Sequence, residues 1–294
     1  MRRLLAALVV VAAVVAASVV AAGPAAAAGP LRHRTPNLVV LGDSFAAGIG
    51  NTPYQSDDGD CDRSQTAAYG ERLEQLRLVR LAGFPACKGA TTASVLSSGQ
   101  LTAITADTDI VTVQAFGNDA QFSTLAGFCL VSDCSLTGQN GPAVRAILDG
   151  VTPLARRTLG PFYQAIKDRI AAVGAKARVI VVDYGDPLPA VGTTIGPFCP
   201  YITAGEPEVA QQFAGTINAE LATAARAAGF AFADVAPRFR GLDICGFAPA
   251  FLRPPVPGLA TQLPSTSPDE AGILHPNRFG QGIYAAVLAG RLYS

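Results

Sequence analysis

The chain contains two histidines, His33 and His275, and this scarcity frames its possible nucleophile chemistry. A serine hydroxyl becomes a useful nucleophile when a base takes its proton, and the usual base is an imidazole. His33 sits in the basic stretch Leu31-Arg32-His33-Arg34 near the N-terminus. His275 sits in Ile273-Leu274-His275-Pro276-Asn277-Arg278, just ahead of the last helical pattern. A serine–histidine site in this chain therefore has to use His275. The serine that fits it is Ser44, in Leu38-Val39-Val40-Leu41-Gly42-Asp43-Ser44-Phe45, where a hydrophobic run stops at Gly-Asp-Ser and continues into small residues. The plainer reading is that Asp43 or Ser44 caps a helix, and that His275 is structural before a proline turn. Asp43 is expected to support the turn or the helix N-terminus. The stretch is not the Gly-x-Ser-x-Gly elbow of α/β-hydrolases.

Two further stretches suit the same chemistry. Ala115-Phe116-Gly117-Asn118-Asp119 follows a strand-like run, and an asparagine there can aim its amide at a developing oxyanion. Gly-Asn-Asp is also good turn chemistry. Cys87-Lys88-Gly89-Ala90-Thr91-Thr92 offers a glycine where a backbone N–H can approach a ligand closely, or else a disulfide-pinned loop.

The elements that must position these residues read as alternating strands and helices. Apolar runs at Leu38–Leu41, Leu78–Leu81, Ile110–Ala115, Val179–Asp183 and Phe230–Val235 read as strands of a parallel sheet buried on both faces. Helical spacing falls at Ala67–Gln75, Gly160–Val173, Glu208–Ala228 and Arg278–Leu292. Together they predict a doubly wound α/β domain. Ser44 and Asn118 then lie past the C-terminal ends of strands, the edge where such sheets gather ligands. The Pro- and Gly-rich segments 186–204 and 241–272 read as long surface loops that shape a pocket.

Composition narrows the setting. Arg2 and Arg3 precede an apolar run, Leu4 to Ala22, and then Gly23-Pro24-Ala25-Ala26-Ala27-Ala28. That order reads as a secretory signal over residues 1–28, with 29–36 as a tail and 37–294 as a single domain. The apolar run is also long enough to serve as a retained membrane anchor. The 22 basic and 22 acidic residues balance, which excludes the basic surface that nucleic-acid binding needs. Six cysteines in an exported chain favour disulfides. The short Cys129–Cys134 spacing favours a local loop, and sequential pairing adds Cys61–Cys87 and Cys199–Cys245. No Cys-x-x-Cys occurs, and the acidic stretch 57–62 lacks EF-hand spacing, so no metal site is expected. The chain has no tryptophan, and few aromatics cluster along it.

Taken in order, the four stretches resemble the GDSL or SGNH hydrolase family, across residues 37–294. Ser44 matches the family's nucleophile, Gly89 its oxyanion glycine, Asn118 its oxyanion asparagine and His275 its base. The cysteine layout looks like that of the secreted bacterial lipase and esterase subgroup with three disulfides. The resemblance implies a flavodoxin-like three-layer α/β/α sandwich around a five-stranded parallel sheet. It also implies a secreted, monomeric serine esterase or lipase that needs no cofactor and acts on lipid or simple acyl esters, with transient lipid-surface contact. The alternatives are a carbohydrate O-acetyl esterase on the same scaffold and a catalytically silent binding protein. The family often places an aspartate three residues before the histidine; that position is Gly272 here. The Gly272 carbonyl is the expected substitute for orienting His275, with Asp269 and Glu270 as nearby carboxylates. Phe116 and Lys88 replace the small residue and the serine usual before the asparagine and glycine motifs, which points to an altered pocket shape.

Overall fold

The computed structural model describes residues 34–56, 59–193, 195, 198–254 and 270–292. The 1–28 segment lies outside them, as do His33 and Asp269. Residues 35–294 form one compact unit.

Its centre is a five-stranded sheet: β1 (Asn37–Gly42), β2 (Arg80–Gly83), β3 (Ile110–Gln114), β4 (Arg178–Val182) and β5 (Ala231–Ala233), all parallel, in the order β2-β1-β3-β4-β5. Every residue of β1 and β3 is buried. That is why they read as unbroken Val/Ile/Leu runs rather than alternating ones. β2 begins at Arg80, inside the apolar run Leu78–Leu81, and is half exposed, as an edge strand can be.

Among the described residues, seven α-helices surround the sheet: α1 (Ser44–Ala47), α2 (Tyr69–Gln75), α3 (Thr92–Ser97), α4 (Phe122–Val131), α5 (Gly141–Ala172), α6 (Glu206–Ala228) and α7 (Arg278–Ala289). α2 packs on α7, while α5 packs on α6 and α3, which gives a layer on each face. The strand order explains this sorting. From β1 the chain steps one way to β2, then reverses past β1 to β3, and right-handed crossovers put the helices of the two directions on opposite faces. The reversal leaves the β1/β3 boundary as the switch point, where a crevice opens beyond the strand ends.

One element departs from the sequence expectation in length. The helix expected at Gly160–Val173 runs from Gly141 to Ala172 and carries Pro153 and Pro161 inside it. Proline removes a backbone bond and normally breaks a helix. Here Val144, Ile147, Leu148, Val151, Ala155, Leu159, Phe162 and Ile166 are all buried at helical spacing, and the packing of that stripe outweighs the local cost. α3 and α4 have no counterpart among the helical patterns of the sequence. α4 starts at Phe122 behind Gln121, which has a left-handed backbone and no capping bond. The three disulfides are Cys61–Cys87, Cys129–Cys134 and Cys199–Cys245.

Candidate active site

β1 ends at Gly42, and its backbone there has φ 145°. A Cβ at this position would run into the Gln114 carbonyl oxygen of β3, so only glycine lets the two strand ends close together. Gln100 pins the same residue from below, accepting from Gly42 N at 2.9 Å and donating to Gly42 O at 3.0 Å. The next residue, Asp43, caps α1: its Oδ1 accepts the Phe45 N–H at 3.0 Å. Capping by Asp43 leaves Ser44 as the first residue of a one-turn helix, with its side chain not needed for the cap.

That side chain meets His275. The Ser44 Oγ lies 2.7 Å from His275 Nε2, both residues nearly buried. The histidine arrives on the loop before α7, where Asn277 caps the helix through the Gly280 N–H at 3.0 Å. Asn51 ties the two halves together. Its buried amide donates to Gly48 O and Ile49 O just after α1, and to Pro276 O beside the histidine at 2.9 Å. Gln281 of α7 adds a second tie, donating to Phe45 O at 2.8 Å and accepting from Tyr69 N at 3.0 Å.

Of the carbonyls just before the histidine, the one at hydrogen-bond distance from the imidazole is that of Ile273. Its oxygen lies 3.0 Å from His275 Nδ1. The Gly272 carbonyl instead accepts the backbone N–H of His275 at 3.1 Å. The arrangement follows from Leu274, whose left-handed backbone (φ 64°) folds the chain so that the carbonyl two residues back faces the ring. Glu270 opens a short 3-10 turn that ends at Gly272. The Asp269 and Glu270 side chains lie outside the described part of the molecule.

The other two expected residues approach from neighbouring strand ends. Asn118 follows β3, and its Nδ2 donates to Ala90 O at 3.0 Å, which carries it to the Gly89 loop. Asp119 strengthens that link by accepting from Thr92 N at 2.9 Å and Thr92 Oγ1 at 2.6 Å. Gly89 has φ 70° and is exposed. Its neighbours' N–H groups are spent: Lys88 N on Cys61 O, and Ala90 N on Cys87 O. Among the described residues the N–H groups of Ser44 and Gly89 carry no hydrogen bond. Lys88 turns away into an ion pair with Asp62 at 2.7 Å. Phe116, the other departure from the family pattern, is buried with φ 123°. Such strain in a non-glycine residue costs about 1–3 kcal/mol and gathers at functional sites.

Beside Ser44 opens a narrow apolar cavity of about 60 Å3. Phe122, Leu125 and Ala126 of α4 form one wall, and Phe213, Ala214 and Ile217 of α6 the other. Aromatics do converge here, although they are scattered in sequence. The Phe45 ring lies 5.0 Å from Tyr184, 5.8 Å from Phe122 and 4.9 Å from the His275 ring. Burial pushes the Asp43 carboxyl up to about 7, against the pull of hydrogen bonds from Tyr184 and Phe45. Cys129, Cys134 and Glu206 also cluster, but the two sulfurs are bonded to each other. Glu206 accepts from Cys134 N and Thr203 N, so the group is a structural clasp at the start of α6.

Fold and site together define a hydrolase-type α/β protein: a parallel sheet with a serine hydroxyl on an imidazole at its switch point. The chain belongs to the GDSL-like lipase/acylhydrolase family, whose sequence model matches residues 40–283. It is 32% identical over 211 residues to Lipase 1 of Streptomyces coelicolor, covering 72% of this chain and 74% of that one. It is 31% identical over 218 residues to a lipase of Streptomyces rimosus, covering 74% and 76%. Among solved structures, the extracellular lipase of Streptomyces rimosus superposes with a TM-score of 0.69 at 28% identity, covering 87% of this chain and 99% of that one. Phospholipase A1 of Streptomyces albidoflavus gives 0.69 at 25% identity, covering 87% and 99%. This chain is accordingly a carboxylic ester hydrolase.

Proposed function

We propose that the protein is a secreted serine esterase or lipase that hydrolyses lipid or simple acyl esters through an acyl-enzyme on Ser44. The observation that carries the reading is the 2.7 Å approach of Ser44 Oγ to His275 Nε2 at the mouth of an apolar cavity. Nδ1–H donating to the Ile273 carbonyl fixes the tautomer in which Nε2 accepts. As Ser44 Oγ attacks the ester carbonyl, its proton passes to Nε2. The oxyanion is met by the N–H groups of Ser44 and Gly89 and by the second amide hydrogen of Asn118. The imidazolium then gives its proton to the leaving alcohol, and water repeats the sequence to release the acid. A carbonyl orients the ring as a carboxylate does but stabilises the imidazolium less.

The cavity's apolar lining favours an acyl chain over a carbohydrate acetyl group, in keeping with the relatives named as lipases. Secretion is supported by the signal-like start, the three disulfides and the extracellular relative. Turnover of p-nitrophenyl esters of increasing acyl length by the mature chain tests the reading. Ser44→Ala and His275→Ala are each expected to lose about three or more orders of magnitude in kcat with the fold intact. Wild-type-like turnover in either variant refutes the assignment.

A further inference from the structure

Tyr184 follows β4 and is not part of the serine–histidine pair, yet it bonds to the residues just before Ser44 and just before Asn118. Its hydroxyl donates to Asp43 Oδ2 at 2.6 Å and accepts the Gly117 N–H at 3.1 Å. Asp43 immediately precedes the nucleophile, and Gly117 immediately precedes Asn118. One oxygen thus spans the turn that presents Ser44 and the turn that presents the oxyanion amide. The two turns leave adjacent strands, β1 and β3, on either side of the switch point. They have no other side chain in common within hydrogen-bond reach among the described residues. Tyr184 itself is clamped from behind: Asn218 of α6 accepts from its N–H at 3.0 Å and donates to its carbonyl at 2.8 Å. The ring stacks edge-on against Phe45 at 5.0 Å and lines the cavity.

We propose that Tyr184 is a positioning residue for the hydrolysis, a strut whose hydroxyl sets the separation between Ser44 and the oxyanion amide of Asn118. The inference rests on the serine-esterase reading above. Displacements of an ångström or less between nucleophile and oxyanion donors lower the rate steeply, because both must meet one carbonyl group. A phenol suits this role because its donor and an acceptor position are filled at once, and a rigid ring holds the oxygen at a fixed distance.

The strut also links the site to protonation. The groups facing Asp43 are the phenols of Tyr69 in α2, Tyr184 after β4 and Tyr284 in α7, and the Asp119 carboxyl after β3. The His275 ring packs on the intervening Phe45. Of these, Tyr184 donates to the Asp43 carboxylate. Losing that donor raises the pH at which the carboxylate forms.

The test is Tyr184→Phe, which keeps the ring in the cavity and deletes the hydroxyl. On a p-nitrophenyl ester that the wild type hydrolyses, kcat is expected to fall about 10- to 100-fold with KM changed little. The acid limb of the kcat/KM profile is expected to move up by about one pH unit. In an Asp43→Asn background the same change should leave that limb in place. A variant with wild-type kcat and an unmoved limb, merely less heat-stable, overturns the strut and leaves the esterase reading standing. A wild type that turns over no ester and takes no phosphonate label on Ser44 overturns both. If Tyr184→Phe does not fold, Asp43→Asn alone carries the test, and wild-type kcat in that variant refutes the proposal.

Discussion

Asn118 shows how little of a side chain is left over once a site is built. One amide hydrogen is committed to Ala90 O, which aims the other. In the proposed mechanism the amide acts on charge that develops in the transition state, so its loss should fall on kcat rather than on KM. Asn118→Ala is expected to cost roughly 3–4 kcal/mol of transition-state stabilisation on p-nitrophenyl ester hydrolysis. A kcat within about threefold of wild type would remove Asn118 from the oxyanion role. Because the substitution also frees the Ala90 carbonyl, a thermal unfolding curve has to accompany the kinetics. At this scale the sequence is informative where chemistry demands a particular residue type. Ser44 and His275 are legible because the chain has one usable histidine and one serine at an abrupt strand end. Asn51, Gln281 and Tyr184 are not, since an isolated polar residue has no spacing that marks it until the fold supplies its partners. The Ile273 carbonyl cannot be read at all, because a backbone group is the same at every position and only the φ of Leu274 selects it.

At the scale of elements, the strands are legible and the cavity walls are not. Buried parallel strands must be apolar throughout, so β1, β3 and β4 stand out in the sequence. α5 is half hidden by Pro153 and Pro161, local signals that long-range packing overrides. α4 is hidden by its nearly uniform apolar composition, Phe-Ser-Thr-Leu-Ala-Gly-Phe-Cys-Leu-Val, which gives no polar face to set the period. The cavity accounts for one stripe of it: Phe122, Leu125, Ala126 and Cys129, at helical spacing, line the channel shared with α6, while Ser123, Thr124 and Val131 face outward. The small residue Ala214 on α6 lines this channel beside Phe213 and Ile217. Ala214→Phe is expected to shorten the accepted acyl chain, lowering kcat/KM for a dodecanoyl ester by about tenfold or more relative to a butanoyl ester. An unchanged chain-length profile would place the acyl group elsewhere.

For the molecule as a whole, the sheet edge that carries the site is also where its buried acids collect. Asp43, Asp183 and Asp186 each follow a strand, β1 or β4, at the C-terminal edge, and burial pushes each up to about 7 from 3.8. Asp183 is held by the Val235 and Ala236 N–H groups, and Asp186 accepts from Leu188 N at 3.0 Å. Glu71 and Glu206 are raised for the same reason. Between about pH 4 and pH 7 the folded chain keeps protons that the unfolded chain has released, so stability falls as pH rises through that window. The expected result is a higher unfolding midpoint at about pH 5 than at about pH 8 in matched salt, with Asp183→Asn flattening the slope. A midpoint that climbs with pH across that range would show these carboxyls ionised in the fold. The disulfides brace loops and helix ends around the sheet. Cys61–Cys87 holds the Gly89 loop, Cys129–Cys134 the end of α4, and Cys199–Cys245 joins the loops beyond β4 and β5. Each cross-link limits how far the segments it joins can part.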